Sequence, residues 1–181
     1  SRSEGVSLFT VLDCALAALY QRLGAGDDVV IGAPSAGRHD ARLDDVVGYF
    51  VNPVALRHNL RGKPSFQDLL HHTSDVILNA LDHDRVPFDR VVDALAKRTG
   101  NRAEPFRTMV VLQPADELLL HLSGVRCEPP ITLPTGSARF DLSWEFSERS
   151  DGGLDVGVEY RSDLFDAKGV EEIVGYYERL L

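Results

Sequence analysis

Apolar and polar positions recur along this chain in two rhythms, and the switches between them mark its elements. From Val6 to Leu23 the apolar residues are dense: Val6, Leu8, Phe9, Val11, Leu12, Cys14, Ala15, Leu16, Ala18 and Leu19. That density leaves little room for a polar face and predicts a buried or half-buried helix. Ser3 or Ser7 stands where its cap is needed, and Gly24 follows its end. Asp28–Gly32 reads as a short core strand and residues 33–38 as a loop, which has neither the spacing nor the lysine of a phosphate-binding loop. The stretch 44–57 holds the most pronounced run. Gly48 opens it, and Tyr49, Phe50, Val51, Val54 and Leu56 predict a strand buried on both faces. Asn52 interrupts that run. A neutral amide in a buried strand must find partners or cost about 1–3 kcal/mol. Pro53 removes a ladder donor, so the strand is expected to kink or to lie at a sheet boundary. Two readings of Asn52 stand side by side: it ends a strand at a turn, or it faces a polar tunnel.

The rhythm then turns helical. Phe66, Leu69, Leu70, Thr73, Ile77, Ala80 and Leu81 share one face of a helix that starts at Pro64-Ser65 and runs to about His83. Pro87 opens the next helix, with Phe88, Val91, Val92 and Leu95 as its inner stripe and Gly100 past its end. Thr108–Leu112 is a strand. Residues 114–137, rich in proline and glycine, predict a long, partly extended excursion. Alternation returns in 139–147 and 154–160, with Ser150-Asp151-Gly152-Gly153 as the hairpin turn between them. Phe165-Asp166 caps a last helix to Leu181. About four helices and five or more strands predict an α/β or α+β sandwich, a mixed β-sheet flanked by helices.

Composition narrows the classes. The chain has 181 residues, 44% of them hydrophobic and 26% charged, which suits a single globular domain. A net charge of −9 argues against duplex nucleic acid and anionic membrane as partners. No membrane span or signal-peptide layout is read, and a cytoplasmic protein is expected. Cys14 and Cys127 make no framework, and Cys14 reads as a reduced core residue.

The candidate chemistry is sparse. His71-His72-Thr73-Ser74-Asp75 suggests a general base with an orienting carboxylate. At about 100° per residue, His71 and Asp75 fall opposite the apolar face and form a solvated i, i+4 pair. Adjacent histidines also diverge, and no third zinc ligand is in view, so no metal site is expected. His83-Asp84 lies at a helix-to-helix junction and reads as a capping corner. Arg98, Arg102 and Arg107 surround Pro105-Phe106. They have the makings of an anion site, but in an acidic chain they favour pairing with carboxylates. No residue set on this chain is a self-contained catalytic constellation.

Several segments, taken in order, resemble the C-terminal half of a condensation domain of a nonribosomal peptide synthetase. Residues 28–38, ending Gly32-Ala33-Pro34-Ser35-Ala36-Gly37-Arg38, are similar to the family's strand and "GxPxAGR" loop. Val47-Gly48-Tyr49-Phe50-Val51-Asn52-Pro53 with Arg57 resembles "IGxFVNT…R". His83-Asp84-Arg85-Val86-Pro87-Phe88-Asp89 resembles "HQDxPFE", without its Gln. Arg98 to Phe106, through Arg102 and Pro105, is a degenerate "RDxSRNPLF". Phe140-Asp141-Leu142-Ser143 and the run Glu159 to Phe165 match "FDLS" and "EYxxDLF". The order holds from about Gly5 to Leu181. The family's "HHxxxDG" active-site motif, which belongs to the N-terminal lobe, has no counterpart here.

The resemblance implies one lobe of a chloramphenicol-acetyltransferase-like fold. It implies no cofactor bound directly, only the phosphopantetheine arms of donor and acceptor carrier proteins that bring thioesters into a tunnel between the lobes. There the acceptor amine attacks the donor thioester, with the second His of the missing motif positioning or deprotonating it. Asn52, Gly48, Phe50 and Arg57 would line the tunnel. The loop of Gly32, Pro34, Gly37 and Arg38 would lie near its floor, and 114–137 would be the latch to the other lobe. The N-terminal lobe would be the main partner, and the isolated lobe is expected to be inactive and prone to self-association. The same resemblance admits a silent module that recruits tailoring enzymes or carrier proteins, or an ester-forming acyltransferase.

Overall fold

A computed structural model describes residues 4–102, 104–113, 123–125, 136–149 and 151–181. Five strands form one mixed sheet: β1 (Asp28–Ser35), β2 (Asn52–Asn59), β3 (Thr108–Gln113), β4 (Leu142–Glu148) and β5 (Leu154–Tyr160), in the order β2-β1-β3-β4-β5. The outer pairs β1–β2 and β4–β5 are antiparallel, and β1–β3 and β3–β4 are parallel. Among the described residues four α-helices accompany it: α1 (Leu8–Tyr20), α2 (Phe66–Asp82), α3 (Phe88–Thr99) and α4 (Ala167–Glu178).

Side-chain alternation on β1 decides the layering. Val29, Ile31 and Ala33 point into the main core, where they meet Leu12, Leu16 and Leu19 of α1. Leu142, Trp144 and Phe146 of β4 share that core with Tyr177 of α4. The Trp144 and Tyr177 rings lie 5.0 Å apart, and those of Phe146 and Tyr177 5.6 Å apart. The polar edges of these rings are satisfied. Trp144 Nε1 donates to the Tyr20 hydroxyl at 2.8 Å, and the Tyr177 hydroxyl donates to the Leu12 carbonyl at 3.0 Å. Burial pushes the Tyr20 hydroxyl up to about 12 and the Cys14 thiol up to about 11, so Cys14 is the inert core thiol expected. On the other face of β1, Gly32 leaves room for the Phe106 ring, which a Cβ there would overlap. Phe106 lies 5.2 Å from Phe88 at the start of α3 and 5.7 Å from Phe140. Thus α1, α2 and α4 cover one face, and α3 with Phe106 begins to cover the other.

The caps follow the sequence. Ser7, Ser65 and Asp166 accept from Thr10, Asp68 and Gly169 backbone N–H groups, and α3 ends at Gly100. Eighteen residues from Leu8 to Ala25, α1 with the π turn that follows it, are long and apolar enough to cross a membrane by length and composition, a window the sequence reading missed. In this fold α1 is the central core helix.

Two expectations are corrected. The run 46–51 is not part of a strand buried on both faces. Pairing begins at Asn52, and Val47 is fully exposed and Tyr49 80% exposed. Their β-propensity is real, but no described strand lies alongside them to pair. The segment 33–38 is not all loop: Ala33, Pro34 and Ser35 extend β1, so Gly32 and Pro34 are strand residues and only Gly37 and Arg38 lie in the loop. The reading of 114–137 as a latch falls mostly outside the described residues, as do Cys127 and Ser150 of the hairpin turn. Pro53 lies where its missing donor is tolerated, second in β2 at the edge of the sheet.

Candidate functional site: a clasp at the strand ends

The C-terminal end of β1, the N-terminal end of β2 and the α2–α3 junction meet at one corner, and three of the six recognised segments converge there. Asn52 is its hub. Its Nδ2 donates to the carbonyls of Asp84, at 2.7 Å, and Val86, at 2.8 Å, and its Oδ1 accepts from the Phe88 backbone N–H at 3.0 Å. The physical need is local. Helix α3 has Pro87 at its cap position, and proline has no side chain that can cap. Asn52 caps the helix from another strand, and in doing so satisfies its own amide.

Beneath the hub lies a polar chain whose first two members are buried. Ser35, the last inward-facing residue of β1, donates from Oγ to the carboxylate of Asp84, and both residues are 5% exposed. The other oxygen of Asp84 lies 3.0 Å from His39 Nε2. A serine, an aspartate and a histidine therefore touch, but the aspartate is in the middle. Among the described residues no imidazole is in contact with the hydroxyl to take its proton, so the described set lacks a nucleophile–base pair. Its geometry ties β1, the loop after it and the α2–α3 junction together.

That loop, 36–51, is folded on Arg38. The guanidinium donates to the carbonyls of Leu43 and, at 3.0 Å, of Val46, and it covers the Phe50 ring at 4.7 Å. Gly37 has φ +65°, and a Cβ there would overlap the Phe50 carbonyl. Gly48 also approaches the Phe50 ring, where a Cβ would lie 3.1 Å away. The result is a short, internally braced loop that presents Val46, Val47, Tyr49 and Val51 outward.

Other site candidates fall elsewhere. Arg57 lies on the outer face of β2, about 17 Å along the strand from Asn52 at 3.4 Å per residue. It grips Asp28 with two hydrogen bonds of 2.7 and 2.6 Å, and that contact holds the Asp28 carboxyl below its ordinary range. The structure does not bring Arg57 to the clasp. His83 caps the end of α2 through Nδ1, 2.8 Å from the Asn79 carbonyl. Phe88, Phe106 and Gly32 form the packing layer behind the corner, with Pro105 beside it. Arg107 and Arg161 flank Asp141, at 2.5 and 3.5 Å, and Arg102 reaches Asp93 at 3.5 Å. These arginines pair with carboxylates. Arg98 is exposed in the last turn of α3. His71 and Asp75 are both exposed on α2, the solvated pair expected.

Sequence reading missed Ser35 and His39 as members of the clasp. It also missed a second polar set, Asp13 and His58, both 0% exposed, with Nε2 of the histidine 3.1 Å from Oδ2 of the aspartate. Alternation was a usable signal for two of them: Ser35 is in phase with Ile31 and Ala33, and His58 with Val54 and Leu56.

Comparison with known proteins gives the family. The Condensation domain family matches residues 1–181. The probable non-canonical nonribosomal peptide synthetase CymA of Salinispora arenicola is 42% identical over 183 residues, covering 100% of this chain and 2% of that protein. The dimodular nonribosomal peptide synthase of Bacillus subtilis is 40% identical over 187 residues, covering 100% and 8%. Among solved structures, the X-domain from teicoplanin biosynthesis superposes with a TM-score of 0.84 at 24% identity over 99% of this chain and 41% of that one. The condensation domain of the Monacolin K polyketide synthase MokA superposes with 0.78 at 20% identity, over 99% and 42%. The chain thus spans a small part of these curated relatives and about two fifths of these solved chains. The sheet and its helices have the chloramphenicol-acetyltransferase-like architecture of those domains, and the chain belongs to the condensation domain family of nonribosomal peptide synthetases.

Proposed function

We propose that this chain is the C-terminal half of a condensation domain that joins two carrier-delivered acyl groups through an amide bond. The observation that carries the reading is the clasp. Segments far apart in sequence, each resembling a family motif, meet at one corner of the sheet around Asn52. Beside them lies an apolar loop, 46–51, with no cover among the described residues. The share of the solved condensation-type chains that it spans, 41% and 42%, supports a half-domain.

In this reading the acceptor amine attacks the donor thioester carbonyl. A carbon–nitrogen bond forms and the carbon–sulfur bond breaks. The amine gives up a proton, and the leaving thiolate of the phosphopantetheine arm gains one. The histidine that handles the amine proton belongs to the other half. This chain's part is to hold a wall. Asn52 fixes the start of α3 against β2, and Arg38 and Gly37 fix the loop that meets the partner lobe. The donor and acceptor carrier proteins dock on the completed domain.

The test is an amide-formation assay with loaded donor and acceptor carrier proteins. The complete protein is expected to form the amide, and the isolated chain is expected to give only background. Amide formation by the isolated chain would overturn the half-domain reading. A complete protein that makes no amide but retains a tailoring enzyme would turn the reading toward a recruiting module. The X-domain of teicoplanin biosynthesis, which shares the fold, has been seen in complex with OxyB. Ester in place of amide would turn it toward the acyltransferase.

A further inference from the structure

We propose that Asp13 and His58 form a register pin: a buried pair that fixes the pairing of β2 with β1 and thereby places Asn52. Among the described residues β2 has one strand neighbour, β1, so no described strand on its far side holds its register. Its inward positions are Asn52, Val54, Leu56, His58 and, just past its end, Leu60. Apart from Asn52 in the clasp and His58, all are aliphatic. A slip of two residues therefore carries an aliphatic side chain onto an aliphatic position at nearly every place, and the hydrophobic pattern alone does not forbid it. A slip of one residue is already excluded, because it would turn Arg57 into the core.

Of the two polar residues, His58 is the one sealed in the core. It stands opposite Val29 in the ladder and reaches Asp13 of α1 in a place where both side chains are wholly buried. After a two-residue slip in either direction, Leu56 or Leu60 would face Asp13 instead, and the carboxylate would be left buried without a counterpart. A buried charge stripped of its partner is strongly disfavoured, whereas an intact pair contributes little to overall stability. Specifying register is the use of such pairs with the best physical support. Thr73 of α2, also wholly buried, lies against Cys14, the neighbour of Asp13 in α1. The exposed Arg57–Asp28 pair favours the same register but is open to solvent and weaker for it.

The consequence reaches the clasp. Asn52 pairs with Ser35 in the present register. A two-residue slip would move it about 7 Å along the strand, out of reach of Asp84, Val86 and Phe88. Asp13 and His58 are in this sense positioning residues for a corner they do not touch, and the inference stands whatever reaction that corner serves.

Oxidative cross-linking in the complete protein reads the register directly. Val30 and Arg57 are Cα partners on the outer face. Val30→Cys with Arg57→Cys reports the present register, and Val30→Cys with Ala55→Cys or with Asn59→Cys reports the two slips. In the unaltered background only the 30–57 link is expected. In Asp13→Leu/His58→Val the slipped links are expected to rise severalfold relative to 30–57. The swapped pair Asp13→His/His58→Asp is expected to restore the 30–57 preference. Exclusive 30–57 linking in Asp13→Leu/His58→Val would overturn the proposal. Should that variant not fold, the smaller Asp13→Ala/His58→Thr carries the same comparison. Failure of both to fold would also count against the pin, since the pair would then be holding the whole fold and not one strand's register.

Discussion

Two hydrophobic regions of this chain have opposite fates. Trp144, Phe146 and Tyr177 are buried to within 1% of completely, and the indole and phenol hydrogens find acceptors inside the same chain. Val46, Val47, Tyr49 and Val51 are equally apolar, yet each remains more than a third exposed. The first group has α1 and α4 to close over it. The second is braced from within by Arg38 and offered outward. A hydrophobic run therefore states that a surface must be covered and leaves open whether the cover belongs to the same polypeptide.

The contrast breaks most sharply at Trp144. Trp144→Ala should cost about 3–5 kcal/mol in urea unfolding, because a large aromatic leaves a cavity in a core that relaxes only in part. The paired substitutions Val47→Ser and Tyr49→Ser should change the same midpoint by about 0.5 kcal/mol or less. They should also reduce self-association of the isolated chain in analytical ultracentrifugation. Destabilisation by the serine pair as large as that of Trp144→Ala would show that the loop is part of this chain's own core.

Asn52 stands between the two regions. Asn52→Ala strands the Phe88 N–H and two carbonyls, and should cost about 1–3 kcal/mol. The loss should be concentrated in the first turn of α3, visible as faster hydrogen exchange at residues 88–91 with little change in β4. Uniform loss of protection across the sheet would mean that the amide supports the global fold and not one junction.

The layered architecture was legible because its signals are local. Ser65 and Asp166 announced helix starts, Gly100 an end, and the alternation of 154–160 a strand. The corner was legible only in part. Asn52 was visible as an amide out of place, but its partners lie 32 to 36 residues away, and spacing does not report contacts at that range. The run 46–51 misled because β-propensity describes a residue's fitness for a pleated surface and says nothing of whether a neighbouring strand is there. Asp13 went unread inside a dense apolar helix because its partner, His58, is brought to it only by the fold.

The smallest expected effect lies at the far end of β2, and it sharpens the comparison between buried and exposed pairs on one strand. Arg57 and Asp28 make a two-bond contact in open solvent, whereas His58 and Asp13, one residue along, are sealed. Arg57 lowers the folded-state pKa of Asp28. Whatever stability this contact gives is therefore present above the ordinary carboxylate range and is lost as pH falls through the lowered folded value. Arg57→Ala should shift the neutral-pH denaturation midpoint by less than any substitution above, and added salt should erase the difference. A salt-insensitive loss, or one that persists below the carboxylate range, would mean that the Arg57 stem contributes by packing on the outer face of β2, with its charge playing no part.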